Sequence, residues 1–206
     1  MSLLQKRVMQ RFFRDAEGDC EKLPWHSTEP SPWLERILSL PDAPARALDV
    51  GCGSGYFSAW MAARGLDVTG LDYLPEAIAM ARELAAENGV DVSFREADVL
   101  DFTPERPFEL VLDSGCMHNM SGGELDRYRA ALLRWLAPGG HFVLGHWGRR
   151  GLLDWRPIGP RRRRPAVLER LLGHELELVD FEEDDERVPL PFGPWVRMAS
   201  YWFRRT

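Results

Sequence analysis

The sequence predicts an α/β fold with a doubly wound, mostly parallel sheet, and three observations carry that prediction. From residue 45 to residue 147, apolar runs of six or seven residues alternate with segments of helical periodicity, the pattern of successive βαβ units. The first apolar run leads directly into Gly51-Cys52-Gly53-Ser54-Gly55, which opens a helical segment. The last two strand-like runs have no helix between them, so they should close the sheet as an antiparallel pair.

Each element follows from local pattern. Leu4, Val8 and Phe12 recur at four-residue spacing, one face of a helix. Pro24 and Pro30 exclude regular helix between them. Ser31-Pro32 then reads as cap and first turn of a helix to about Leu40. Strands are expected at 45–50, 67–72, 92–98, 108–113 and 141–147. Helices are expected at about 55–64, at 75–88 with Ile78, Ala81 and Leu84/Ala85 on one face, and at 123–136 with Leu125, Tyr128, Leu132 and Trp135 at helical spacing. Pro138-Gly139-Gly140 reads as a turn. Residues 148–165, rich in Arg, Gly and Pro, form a long excursion before a short helix at 166–172. Strands at 175–184 and 196–204 end the chain.

Composition narrows the class of protein. With 45% hydrophobic and 28% charged residues in 206, the chain is globular and long enough for one domain with its own core. Cys20, Cys52 and Cys116 are widely spaced and form no C-x-x-C pair, so neither a disulfide framework nor a structural zinc site is expected. That points to a reducing, cytoplasmic setting. No apolar run approaches membrane-spanning length, and charges interrupt the N-terminus too often for a secretory signal. A net charge of -6 opposes a general nucleic-acid binder.

The glycine turn lies where α/β sheets bind ligands, beyond the carboxyl end of a strand near the topological switch point. Asp72 ends the second strand 21 residues after Gly51, where a carboxylate can accept hydrogen bonds from both ribose hydroxyls. A nucleoside-containing ligand is therefore expected. The dinucleotide fingerprint fails because Tyr56 stands at its last glycine position, and the Gly-Lys-Ser/Thr ending of a P-loop is absent. Asp49, two residues before Gly51, would repel a pyrophosphate but welcome an ammonium group.

Five segments, ALDVGCGSG (47–55), VTGLDYLPEAI (68–78), EADVLDF (96–102), FELVLDSG (108–115) and LAPGGHFVL (136–144), together resemble the class I S-adenosylmethionine-dependent methyltransferases. The resemblance implies a Rossmann-like sheet of seven strands with the last one antiparallel. It implies S-adenosylmethionine as cofactor and S-adenosylhomocysteine as product. It places Gly51, Gly53 and Gly55, with Cys52 between them, under the methionine part. Asp49 would serve its amino group, Asp72 the ribose, and Asp98 the adenine amino group, with Val99 beside it and Tyr73 next to Asp72. Asp113 would lie where cofactor and acceptor meet. Cys52 reads as small filler rather than a nucleophile.

The acceptor side is read from the residues after the fourth strand, Asp113-Ser114-Gly115-Cys116-Met117-His118. The motifs of nucleobase-amine and cytosine-C5 enzymes are absent there. The compact chain and its PW-x-x-x-x-P segment look most like the small-molecule branch of the family, including the thiopurine and tellurite-resistance types. His118 is the candidate general base or acceptor-orienting residue, since an unperturbed imidazole takes a proton near neutrality; the alternative is a histidine hydrogen-bonded at a helix start. His146 could point into the same cleft. Trp25 and His26 could close over the cofactor as a lid, or Trp25 could pack the N-terminal helix onto the sheet. Trp147, Trp155 and Trp195 could wall an apolar acceptor pocket. Arg161-Arg162-Arg163-Arg164 invites a nucleic-acid reading. Eight acidic residues between Glu175 and Glu186 offer it ion pairs instead, and an anionic acceptor is a further possibility.

The expected organisation is a single domain: a helical cap at 1–44, a cofactor-binding core at 45–147, and an acceptor-side excursion with terminal strands at 148–206. The expected reaction is methyl transfer to a small-molecule S, N or O nucleophile, by a monomer or homodimer, with no metal, no membrane and no nucleic-acid partner. The rivals are a protein or RNA methyltransferase and a non-catalytic, cofactor-binding regulatory module.

Overall fold

The computed structural model describes residues 3–149, 161–187 and 195–206. Trp155, most of the excursion after residue 148 and the 188–194 connection lie outside them.

The strands are β1 (Arg46–Val50), β2 (Asp67–Asp72), β3 (Ser93–Glu96), β4 (Phe108–Ser114), β5 (Leu136–Gly148), β6 (Leu176–Arg187) and β7 (Trp195–Arg205). They form one sheet in the order β3-β2-β1-β4-β5-β7-β6. The first five are mutually parallel, and β7 runs antiparallel to both β5 and β6. The chain steps outward from β1 to β3, then returns to place β4 on the other side of β1. The loops after β1 and β4 therefore diverge and leave a crevice at the carboxyl ends of the strands.

The helices are α1 (Leu3–Ala16), α2 (Pro32–Leu38), α3 (Tyr56–Ala62), α4 (Pro75–Glu87), α5 (Gly123–Trp135) and α6 (Pro165–Leu172). Successive strand residues face opposite sides of the sheet, and the core divides accordingly. Leu48, Val50 and Val111 join Tyr128, Leu132 and Trp135 of α5 and Leu168 and Leu172 of α6. Ala47, Leu110 and Leu112 join Trp33, Leu34 and Ile37 of α2 and Met61 of α3. Ser31 caps α2 through its hydroxyl, with Pro32 in the first turn, as expected. On α1, Phe13 and Ala16 pack against Leu74, Ala77 and Met80 at the start of α4.

One expectation needs correction. The Pro138-Gly139-Gly140 turn does not precede the fifth strand but is absorbed into it. β5 pairs with Phe108 through Leu136 and then jumps to Leu110 opposite His141, a bulge that the left-handed Gly139 (φ +75°) permits. The antiparallel pair ends the sheet as expected, with β7 inserted between β5 and β6 and β6 outermost. β7 carries Val196, Ala199, Tyr201 and Phe203, all buried. The acidic β6 takes the edge, where charge discourages pairing with other chains. Among the described residues, its Asp180 pairs with Arg36, and Glu183 and Asp185 pair with Arg197. Among the described residues, no helix is long and apolar enough to cross a membrane.

Candidate functional site

The turn after β1 is held in a left-handed conformation at Gly51 (φ +69°), Gly53 (φ +55°) and Gly55 (φ +76°), a region glycine enters without steric cost. Contact reinforces the choice at Gly51, where an added Cβ would fall 2.9 Å from the Cβ of Cys116. The Cys52 amide donates to the Leu71 carbonyl at 2.8 Å. The Gly53 amide donates to Asp72 Oδ2 at 3.1 Å, and the Leu74 amide to Asp72 Oδ1 at 2.9 Å. The ends of β1 and β2 are thus joined, and each Asp72 oxygen keeps accepting capacity for a ligand.

Three buried carboxylates surround this turn: Asp49, Asp72 and Asp113. Burial pushes Asp49 up to about 7, with the Asp113 and Asp72 charges adding to it and the Ser58 hydroxyl, which donates to Asp49 Oδ2 at 2.6 Å, opposing it. Burial likewise lifts Asp72 and Asp113 to about 6 against their hydrogen bonds. None has an ion-pair partner among the described residues. Buried charge of one sign calls for the opposite sign, so the crevice suits a ligand that brings positive charge.

The other expected cofactor-side residues gather here with differing exposure. Val99 is buried and Asp98 exposed, its Oδ1 accepting from the Leu100 amide at 2.9 Å. Burial raises Tyr73 and Cys116, the charges of Asp72 and, for Cys116, Asp113 add to it, and Asp98 contributes after them. Burial, then the Asp49 charge, pushes the Cys52 thiol well above its ordinary value, so it stays protonated and suits filler rather than a nucleophile. Trp25 stacks edge-on against Phe12 at 5.3 Å and Phe13 at 5.9 Å, and the Phe13 ring lies 3.8 Å from where a Gly53 Cβ would stand. Trp25 therefore packs on α1, and Phe13 links it to the glycine turn. The His26 ring lies edge-on to Tyr56 at 5.5 Å, and the Tyr56 hydroxyl donates to the Thr28 carbonyl at 3.4 Å. The N-terminal segment is thus tied to the first residue of α3.

Asp113 faces inward. Its Oδ1 accepts from the Gly115 and Cys116 amides at 3.0 and 2.6 Å, and its Oδ2 from the Met117 amide at 2.9 Å and the Tyr128 hydroxyl at 2.6 Å. Four donors on a fully enclosed carboxylate make it the organiser of the turn that presents His118. Tyr128→Phe removes one of them from a buried charge. It is expected to lower stability by about 1–3 kcal/mol, read by urea denaturation.

Beyond that turn the chemistry changes sign. The His118 ring lies 5.9 Å from that of His146 and 5.8 Å from that of Trp147. Both histidines carry an enclosed Nδ1 with no hydrogen-bond partner among the described residues. Burial, then the Arg163 charge, pulls His118 down to about 3; burial, then the His118 and Arg163 charges, holds His146 well below its ordinary value. Both are neutral at physiological pH. Arg163 Nη1 lies 3.4 Å from His146 Nε2, and its Nη2 donates to the Met120 carbonyl. Trp195 is exposed, on β7. The sequence reading set His118, His146 and Trp147 toward one cleft, and the structure brings them together; the reading did not single out Ser58, Tyr56 or Tyr128 for the site, nor separate Arg163 from its run. Ser58 and Tyr128 stand among helical positions that read as core, and Arg163 was one of four consecutive arginines.

Residues 47–140 match a family described as a methyltransferase domain. The 2-heptyl-1-hydroxyquinolin-4(1H)-one methyltransferase of Mycobacteroides abscessus is 32% identical over 123 residues, 59% of this chain and 54% of that protein. Nodulation protein S of Rhizobium tropici is 31% identical over 154 residues, 73% of this chain and 63% of that protein. The chain thus spans only 54% and 63% of the length of these relatives. A solved structure from work on conversion of a disulfide bond into a thioacetal group during echinomycin biosynthesis superposes with a TM-score of 0.72 at 26% identity, covering 96% of this chain and 93% of that one.

Proposed function

We propose that this chain, whose residues 47–140 match the methyltransferase-domain family, is a class I S-adenosylmethionine-dependent methyltransferase that transfers the methyl group of that cofactor to a nucleophilic atom of a small molecule. The observation that supports this best is the left-handed glycine turn ringed by three buried carboxylates. S-adenosylmethionine carries a positive sulfur and an ammonium group, so it supplies the charge those carboxylates lack, and it brings a methyl group already activated for transfer.

The residues present fit that ligand. Asp49 would meet the ammonium group, and Gly51, Cys52, Gly53 and Gly55 would pass beneath the methionine part. Asp72 would accept from the ribose hydroxyls with the capacity left after its backbone bonds. Tyr73, Asp98 and Val99 would border the adenine, and Trp25 would support the cap through Phe13. The remaining work of the chain is to align an acceptor and exclude water, from which proximity can supply much of the rate. Asp113 acts here as a positioning residue through the 115–117 turn. His118, His146 and Trp147 would line the acceptor side. A neutral imidazole pulled down to about 3 is a weak base, so His118 orients the acceptor by hydrogen bonding rather than removing its proton.

The test is an acceptor panel with methyl-labelled S-adenosylmethionine, spanning thiols, phenols, carboxylates, amines, heterocycles, bulk tRNA and mixed peptides. Label is expected on one small-molecule class. Asp72→Asn is expected to weaken cofactor binding about tenfold, as for a lost charged hydrogen bond, measured by calorimetry. Label confined to tRNA or peptide would sink the small-molecule reading. Cofactor binding with no transfer would leave the regulatory module as the better account.

A further inference from the structure

We infer that the methyl acceptor enters as an oxygen acid in its ionised form, a carboxylate, phenolate or enolate, with its anionic oxygen seated on Arg163. This rests on the proposed methyl transfer and narrows it to O-methylation.

Arg163 is fixed from two sides of the crevice. Its amide donates to the Trp147 carbonyl at 3.1 Å, and its backbone forms a bridge with Gly148 at the end of β5. Its guanidinium reaches the Met120 carbonyl in the turn after β4, and His146 in β5. Those two contacts engage two of the five N–H donors that a guanidinium carries. The fork is partly buried and held in place, yet no carboxylate pairs with it among the described residues. Its charged neighbour is Arg161, which repels it. A partly buried cation without a counter-charge is unfavourable, and a planar guanidinium fork matches the oxygens of a carboxylate or phenolate better than it matches a soft sulfur or an amine.

The histidines point the same way. Arginine only donates, so the 3.4 Å contact makes His146 Nε2 the acceptor and leaves the proton of a neutral ring on Nδ1. That Nδ1 is enclosed and unpartnered, as is the Nδ1 of His118. An acidic half of the crevice, built from Asp49, Asp72 and Asp113, thus faces a half supplied with Arg163 and neutral hydrogen-bonding rings. A cationic donor and an anionic acceptor match the two halves. In the transfer, a lone pair of the anionic oxygen forms the bond to the methyl carbon, and the carbon–sulfur pair remains on sulfur. Both charges are neutralised and no proton is released, so no base is required.

The experiment compares wild type, Arg163→Gln and Arg163→Lys in the labelled-methyl assay. Acidic acceptors are run beside neutral amides and ethers of the same shape, and beside thiols and amines. Label is expected on ionised oxygen acids. Arg163→Gln should raise their KM about 10–100-fold, the range for a lost charged hydrogen bond, with Arg163→Lys in between and S-adenosylhomocysteine affinity unchanged. With the cofactor saturating at every pH, the pH dependence of kcat/KM for the acceptor should follow the ionisation of each acceptor rather than one enzyme group. The inference is overturned if thiols, amines or neutral acceptors take the label. It is equally overturned if Arg163→Gln, shown by its melting curve to be folded, leaves the KM for the acids within twofold of wild type. No label on any compound at full cofactor occupancy would instead remove the methyl-transfer reading, and this one with it.

Discussion

Gly55→Ala is expected to destabilise the protein by about 2–5 kcal/mol and to abolish cofactor binding. Gly55 caps α3 at φ +76°, where a Cβ costs about 1–2 kcal/mol. An added Cβ would also fall 2.6 Å from the Cβ and 2.9 Å from the Cα of Ala81, and 3.0 Å from Phe94. Ala81 is fully buried on α4, so relief requires moving a helix rather than a side-chain tip, which adds about 1–3 kcal/mol of overpacking strain. Gly65→Ala provides the control. Its φ is +90°, yet nothing lies within 4 Å of the new Cβ, so only the conformational part remains. Urea denaturation of both variants separates the two contributions, and equal losses would show that contact with Ala81 contributes nothing.

Cofactor affinity is expected to fall as pH drops below about 7, by up to about tenfold per unit for each proton that must leave. Asp49 in the free protein titrates near 7 because burial, then the Asp113 and Asp72 charges, disfavour its ionised form. Below that pH it holds a proton, and an incoming ammonium group must displace it. Asp49→Asn should bind more weakly at pH 8 and show a much flatter profile, measured by calorimetry from pH 5.5 to 8. A wild-type affinity unchanged across that range would exclude Asp49 from contact with the ligand's charge. Melting curves report this poorly, because the buried carboxylates and the buried histidines act with opposite sign. The raised Asp49 stabilises the folded chain at low pH and loses that contribution as pH rises through about 7. His118, lowered to about 3, contributes above its unfolded value near 6.5 and loses that contribution as pH falls. The two kinds of group oppose one another across much of the accessible range, whereas the difference between wild type and Asp49→Asn in ligand binding isolates that carboxylate from Asp72, which burial lifts to about 6.

Much of the parallel half of the sheet was legible because its signals are local. Asp67–Asp72 begins and ends where the apolar pattern places it, and Pro75 opens α4 as its fixed φ favours. Asp49 and Asp72 could be picked out because a residue at the end of a parallel strand, beside a glycine turn, has few places to go. The antiparallel half was less legible. The alternation in residues 175–184 and 196–204 announces strands but carries no information on which one is central. The larger buried set on β7 decides that, by satisfying both β5 and β6.

Chain chemistry alone therefore settles the fold class, the glycine turn and the acids at the strand ends, because backbone preference and side-chain period act over a few neighbouring residues. Folding in three dimensions decides the rest. It absorbs Pro138-Gly139-Gly140 into β5, turns Asp113 inward onto Tyr128, and draws Arg163 out of a run of four arginines to meet His146 and Met120. Desolvation and pairing depend on groups brought together from distant parts of the chain. The charge that a buried Asp49 or His118 carries is thus a property of the packed crevice, not of the residue.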